Sequence, residues 1–157
     1  MKSILEVAKQ LIRNQAETLV KDSGYIPAEK LSWCALGCAK TAADILKEIA
    51  CSNVQMAASI RGEKPGKFEE EFADRVGKAS TLTELGQLVK DSADIVCRAI
   101  DSHSEADLEK QITMPWGAVF PLYEAIFLPA NHMTYHDGQI NYIQLLLGDS
   151  KFHWAEG

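Results

Sequence analysis

Four stretches of this 157-residue chain place apolar side chains every three or four positions, and no segment alternates as a half-buried strand would. That periodicity narrows the fold more than anything else in the sequence. A helix with one apolar face must bury it against another element. The first stripe runs from Ser3 to Lys21 through Ile4, Leu5, Ala8, Leu11, Ile12, Ala16, Leu19 and Val20, and stops at Asp22-Ser23-Gly24. Gly24 stands where a helix is capped. The second stripe, from Ala39 or Lys40 to Ile60, uses Ala42, Ile45, Leu46, Ile49, Ala50, Val54 and Ala57. The third opens at Ser80-Thr81-Leu82-Thr83-Glu84, a capping-box pattern, and runs to about Ile100. The fourth extends from about Val119 to Leu147 and ends at Gly148. Pro121 suits its first turn, and Pro129 predicts a kink or division just before Asn131. The expected fold is all-α, a four-helix bundle.

Length and charge restrict the rest. The chain suits a single domain with a real core, with a tail from residue 149 to residue 157 that holds His153 and Trp154. A formal net charge of −6 without a Lys/Arg cluster argues against nucleic acid as a partner. No apolar run approaches the roughly 18 residues that a membrane span needs. The start, Met1 to Gln15, reads as an amphipathic helix and lacks the apolar centre of a signal peptide, so the cytoplasm is the expected location. Cys34, Cys38, Cys51 and Cys97 match neither a zinc knuckle nor a thioredoxin motif, and read as thiols that mostly act as small apolar fillers.

The connections carry fewer signals. The segment from Tyr25 to Cys38 is long for a loop in a compact domain and is expected to have a role, with Pro27 to Lys30 forming one helical turn. Arg61 to Lys67 is a charged turn, and Phe68 to Phe72 is either a short helix or a loop pinned by two aromatics. His103 falls in a polar loop and reads as solvated. Gln111 to Gly117 reads as extended chain. Gly138, inside the last helix, costs about 1 kcal/mol against alanine and suggests that another backbone comes close.

The last helix holds Asn131-His132-Met133-Thr134-Tyr135-His136-Asp137-Gly138-Gln139. Residues four apart stack on one helical face, so His132 and His136 can close on one divalent ion. The pattern alone is weak, and surface or core histidines are its more usual explanation. On the second helix, Glu48 borders the apolar stripe between Leu46 and Ile49, where periodicity by itself reads it as a solvated carboxylate.

The stretch from Asn131 to Ile140, followed by Leu145-Leu146-Leu147-Gly148, resembles the last-helix motif of the DinB-like superfamily (DinB/YfiT-like metalloenzymes). Leu31-Ser32-Trp33 with Thr41 to Ala50, Asp107-Leu108 and Pro115-Trp116-Gly117 are similar to other parts of that family, in the same order. The resemblance spans about residues 3–148. It implies an up-down-down-up four-helix bundle with a long crossover, and a metal site of one second-helix histidine and a last-helix HxxxH pair. Carried over here, the ligands are Glu48, His132 and His136, with a carboxylate replacing the usual second-helix imidazole. Such a donor set admits Zn, Ni, Mn or Fe and favours harder ions. Asp137 departs from the arginine often found there. Gln139 is expected either to orient a ligand or to lie on the helix surface, and Tyr135 and Trp33 to be pocket-wall or core aromatics. The implied function is metal-dependent thiol transfer or hydrolysis on a small molecule, with a low-molecular-weight thiol as a partner and a homodimeric state. The alternative is a non-catalytic dimeric bundle whose polar trio is vestigial, with Glu48 tying helices together through a histidine.

Overall fold

A computed structural model describes residues 2–64, 67–151 and 153. Four long helices dominate it: α1 (Ile4–Ser23), α2 (Ala42–Ile60), α4 (Leu82–Asp101) and α6 (Leu128–Leu146), with α3 (Lys67–Lys78) and the one-turn α5 (Leu122–Ala125) between them. The long helices pack in a closed ring: α1 lies on α4 and α6, and α2 lies on α4 and α6. Ile12, Leu19, Ile45, Leu46 and Ile49 from the sequence stripes are fully buried in the shared core, joined there by Leu85, Ile100 and Met133.

Side-chain caps set where the helices start. Thr41 accepts from the Asp44 backbone N–H while the Asp44 carboxylate accepts from the Thr41 N–H, and Thr81 and Glu84 do the same for α4. At the other end of α6, Gly148 adopts φ +96°, a left-handed conformation that favours glycine.

Several sequence expectations change. Residues 111–121 form a small antiparallel hairpin, β1 (Gln111–Thr113) with β2 (Val119–Pro121), paired through Ile112 and Phe120. Strands of three residues are too short for alternation to register. The last helix therefore begins later than Val119, and it is divided: Pro121 caps α5, and Pro129 sits in the first turn of α6, where its missing N–H leaves no helical bond unmade. Gly138 has no atom within 4 Å of where a side chain would begin, so it faces open space and not a neighbouring backbone. His103 is half-buried and not simply solvated: its Nε2 lies 2.8 Å from the Ile60 carbonyl and ties the ends of α2 and α4.

The loop between α1 and α2 does contain a single turn, a 3-10 helix over Ala28–Lys30. Cys34 and Cys38 in that loop are exposed and so are not fillers, whereas Cys97 is buried, and all four thiols are free. α3 settles Phe72 as a buried helical residue, while the Phe68 side chain lies outside the described residues. In the tail, buried His153 stacks on Tyr25 with centroids 3.6 Å apart and meets Asp149 Oδ2 at 2.8 Å. Trp154 lies outside the described residues. Among the described residues, no helix is long and apolar enough to cross a membrane.

The α1–α6 seam contains two buried acids, Asp22 and Asp137, 2% and 6% exposed. Asn141 Nδ2 donates to Asp22 Oδ2 at 3.2 Å, and Gln15 Nε2 approaches Asp137 Oδ2 at 3.4 Å, but Asp137 Oδ1 has no partner. Burial first, then the neighbouring Asp22 carboxyl, pushes Asp137 up to about 6. The folded chain therefore holds this proton more tightly than the unfolded chain, whose aspartate titrates near 3.8. The associated stability is complete below that value and is lost as pH rises through about 6, a loss on the order of 3 kcal/mol. Asp137→Asn should accordingly raise the unfolding midpoint at neutral pH, and the gain should shrink as pH falls toward 4 in denaturant titrations at stepped pH.

Candidate metal centre

The site forms where α6 lies on α2. Pro129 starts α6 so that His132 and His136 fall in its second and third turns, one above the other on the face toward α2. Their Nε2 atoms are 3.1 Å apart and their rings cross at 86°. Glu48, in the second turn of α2, reaches across, and its Oε1 lies 3.7 Å from His136 Nε2. One donor atom from each of the three falls within 4.8 Å of the others, so these side chains could hold a metal ion. With bonds of about 2.0–2.2 Å to nitrogen and oxygen, donors of one shared ion stand roughly 3–3.5 Å apart, close to the two contacts seen here.

The protons favour this use of the atoms. Gln139, three residues beyond His136 on the same face, places Oε1 2.7 Å from His136 Nδ1 and accepts its N–H. That bond keeps the lone pair of His136 on Nε2, toward the other donors. Gln139 is thus hydrogen-bonded to a ring of the trio and is not a free amide on the helix surface. His132 Nδ1 is buried without a protein partner. Burial, then the neighbouring His136, holds His132 below the ordinary histidine value, which Glu48 only partly offsets. His132 is thus biased to the neutral form that a ligand must have. Burial raises the Glu48 carboxyl, but an ion pair with Lys40 and the two histidines outweigh it and leave Glu48 below its usual value.

The three groups open into a cleft of about 1040 Å³. Its walls come from α6 through Tyr135, Tyr142 and Leu146, from α2 through Ile45, and from the loop between Ala35 and Lys40. Gly138 also lines it, which gives that helical glycine its place: a side chain there would fill the cleft. Tyr135 stands edge-on to His136 at 5.1 Å and is 66% exposed, at the rim. Trp33 is half-buried against the hydrophobic core and does not line the cleft, so it is the core aromatic of the two. Periodicity missed Lys40 altogether. The only available signal was a lysine directly before the Thr41 cap, and nothing local shows that its ammonium reaches two turns along α2 to Glu48.

In the metal-free protein, His132 should titrate below pH 6.5 in imidazole NMR spectra, and Glu48→Gln should lower it further by removing an anion. The depressed value has a defined sign. The stability it carries is present above about 6.5 and is lost as pH falls through the folded-state value.

Comparisons with known proteins agree on the fold. The mycothiol-dependent maleylpyruvate isomerase matches with a TM-score of 0.66 at 14% identity, over 89% of this chain and 63% of that one. This chain thus spans less than two thirds of the isomerase. A DinB-like protein from Bacillus subtilis, YjoA, matches with a TM-score of 0.66 at 16% identity, over 92% of this chain and 94% of that one. A DinB-like protein from Bacillus cereus matches at 0.59 and 18% identity, over 85% and 86%. Identities this low carry the fold alone. No curated protein sequence matches significantly. The fold is thus the helical one these DinB-like proteins share, and with a family model matching residues 1–156 the chain belongs to the family described as "Protein of unknown function (DUF1572)".

Proposed function

We propose that this protein is a metal-dependent enzyme in which Glu48, His132 and His136 hold one divalent ion beside a small-molecule cleft. The observation that carries the reading is the convergence of the two Nε2 atoms and Glu48 Oε1 at the cleft wall, with Gln139 directing the His136 lone pair inward. Three protein donors leave positions free for water or substrate. When bound, such an ion lowers the pKa of a water or thiol and so supplies a nucleophile near neutral pH. The chain's own groups do the rest: helix packing orients both rings, Gln139 holds the Nδ1 proton, and the apolar wall limits water around a bound substrate.

The reaction we favour is thiol transfer or hydrolysis with a low-molecular-weight thiol as partner, supported by the fold shared with a mycothiol-dependent isomerase. Two histidines and one carboxylate suit Zn, Ni, Mn or Fe. We take the four long helices as the four-helix bundle of this family, supported by their closed ring of contacts. We take the protein as cytoplasmic and homodimeric, the latter supported by exposed Leu145 on α6. The contrary reading, a bundle with a vestigial trio, draws on one contact: Glu48 already reaches His136 and would tie α2 to α6 without an ion.

Elemental analysis of tag-free protein separates the two. The metalloenzyme reading expects one divalent ion per chain, absent from both Glu48→Ala and His136→Ala, and Gln139→Ala should weaken metal affinity about tenfold. Metal-free wild-type protein that His136→Ala destabilises would leave only the structural bundle.

A further inference from the structure

Lys40 is unexplained by a three-ligand centre. It is the one lysine or arginine among the described residues lining the cleft, and Glu48 is the one aspartate or glutamate. The two are ion-paired through Glu48 Oε2, whereas Glu48 Oε1 faces His136. Without a metal ion their charges cancel. A dication on Glu48 takes over that carboxylate, and the Lys40 ammonium then stands beside a metal–carboxylate unit of net positive charge. Like charges at this range repel, so the ion pair that holds Lys40 is weakened as soon as the metal arrives. The loaded cleft is then a concentrated patch of positive charge in a chain whose formal net charge is −6.

Other parts of the lining have another character. Leu36, Tyr142 and Leu146 line the cleft and remain 73%, 61% and 46% exposed, with Ile143 beneath them. Large apolar groups left open beside a cationic end fit a ligand with both properties. From this arrangement we infer that Lys40 is a displaceable counter-ion: metal binding releases it from Glu48, and the released ammonium anchors an anionic ligand, of the carboxylate class, whose hydrocarbon part lies on the Leu36–Tyr142–Leu146 wall. This rests on the metal reading above and assigns the substrate class to the same cleft. Lys40 is a specificity group, and the anion and the metal support each other's binding because each removes a constraint on the other.

The test uses Zn²⁺ as the metal, with hydrocinnamate and its uncharged amide as probes, on wild-type, Lys40→Gln and Lys40→Arg proteins. Competition with a chromophoric chelator should show that Lys40→Gln binds Zn²⁺ about fivefold more tightly, because a competing cation is gone. Calorimetry should show Zn²⁺-loaded wild-type protein preferring hydrocinnamate over the amide by about tenfold. Lys40→Gln should abolish that preference, and Lys40→Arg should keep it. Hydrocinnamate should also tighten Zn²⁺ binding to wild-type protein but not to Lys40→Gln. The inference is overturned if Lys40→Gln binds Zn²⁺ no more tightly than wild type. It is also overturned if the carboxylate preference survives in Lys40→Gln, which would place the anion on the metal itself. One zinc per wild-type chain with either of these results sinks the Lys40 role alone, whereas a wild-type chain that takes none of Zn²⁺, Ni²⁺, Mn²⁺ or Fe²⁺ sinks the metal reading with it. Unchanged thermal midpoints would establish that the variants are folded.

Discussion

The register of α6 against α2 is the constraint on which the site depends. His132 and His136 are neighbours because a helix returns to the same face in about four residues, and that much is local. Bringing Glu48 to them is not local: it requires α2 to lie on α6 with its second turn beside the second and third turns of its partner. Ile45 and Ile49, on either side of Glu48, are fully buried, as is Met133 between the two histidines. The polar trio is thus aligned by the apolar contacts around it. A shift of one turn, about 5.4 Å along either axis, would separate the carboxylate from both rings.

That alignment places several polar groups under strain of an electrostatic kind. His136 is 2% exposed, His132 has a buried nitrogen without a partner, and one residue beyond His136 the side of α6 facing α1 carries a second buried acid against Asp22. A helical fold selected for stability alone would fill such positions with apolar groups. Here the polar residues cluster along one short segment of α6, from His132 to Asn141, with partners on both α1 and α2. Perturbed titrations of this kind gather where chemistry occurs.

Much of the helical framework could be read from the chain. The stripes in α1, α2 and α4 located those helices to within a few residues, because each long helix buries one face and exposes the other. The capping box at Thr81 and the proline at Pro129 marked boundaries for equally local reasons. The hairpin at residues 111–121 was not legible, since two strands of three residues leave no pattern. Gly138 was misread because a helical glycine signals missing bulk without saying whether a backbone or a cleft occupies the space. His103 gave the same trouble: its acceptor is a carbonyl at the end of α2, remote in sequence.

By itself the sequence determined the helices, their apolar faces and the stacking of His132 on His136, because these follow from periodicity and short-range sterics. It also carried the family resemblance that pointed to Glu48. Only the tertiary structure decided that Glu48 turns toward the two rings, that Gln139 orients one of them, and that Lys40 rather than a distant residue balances the carboxylate. Those are matters of distance between groups on different elements. A residue at the edge of an apolar stripe, as Glu48 is, faces solvent or a neighbouring helix according to which helix packs there, and periodicity within one segment holds no information about its neighbour.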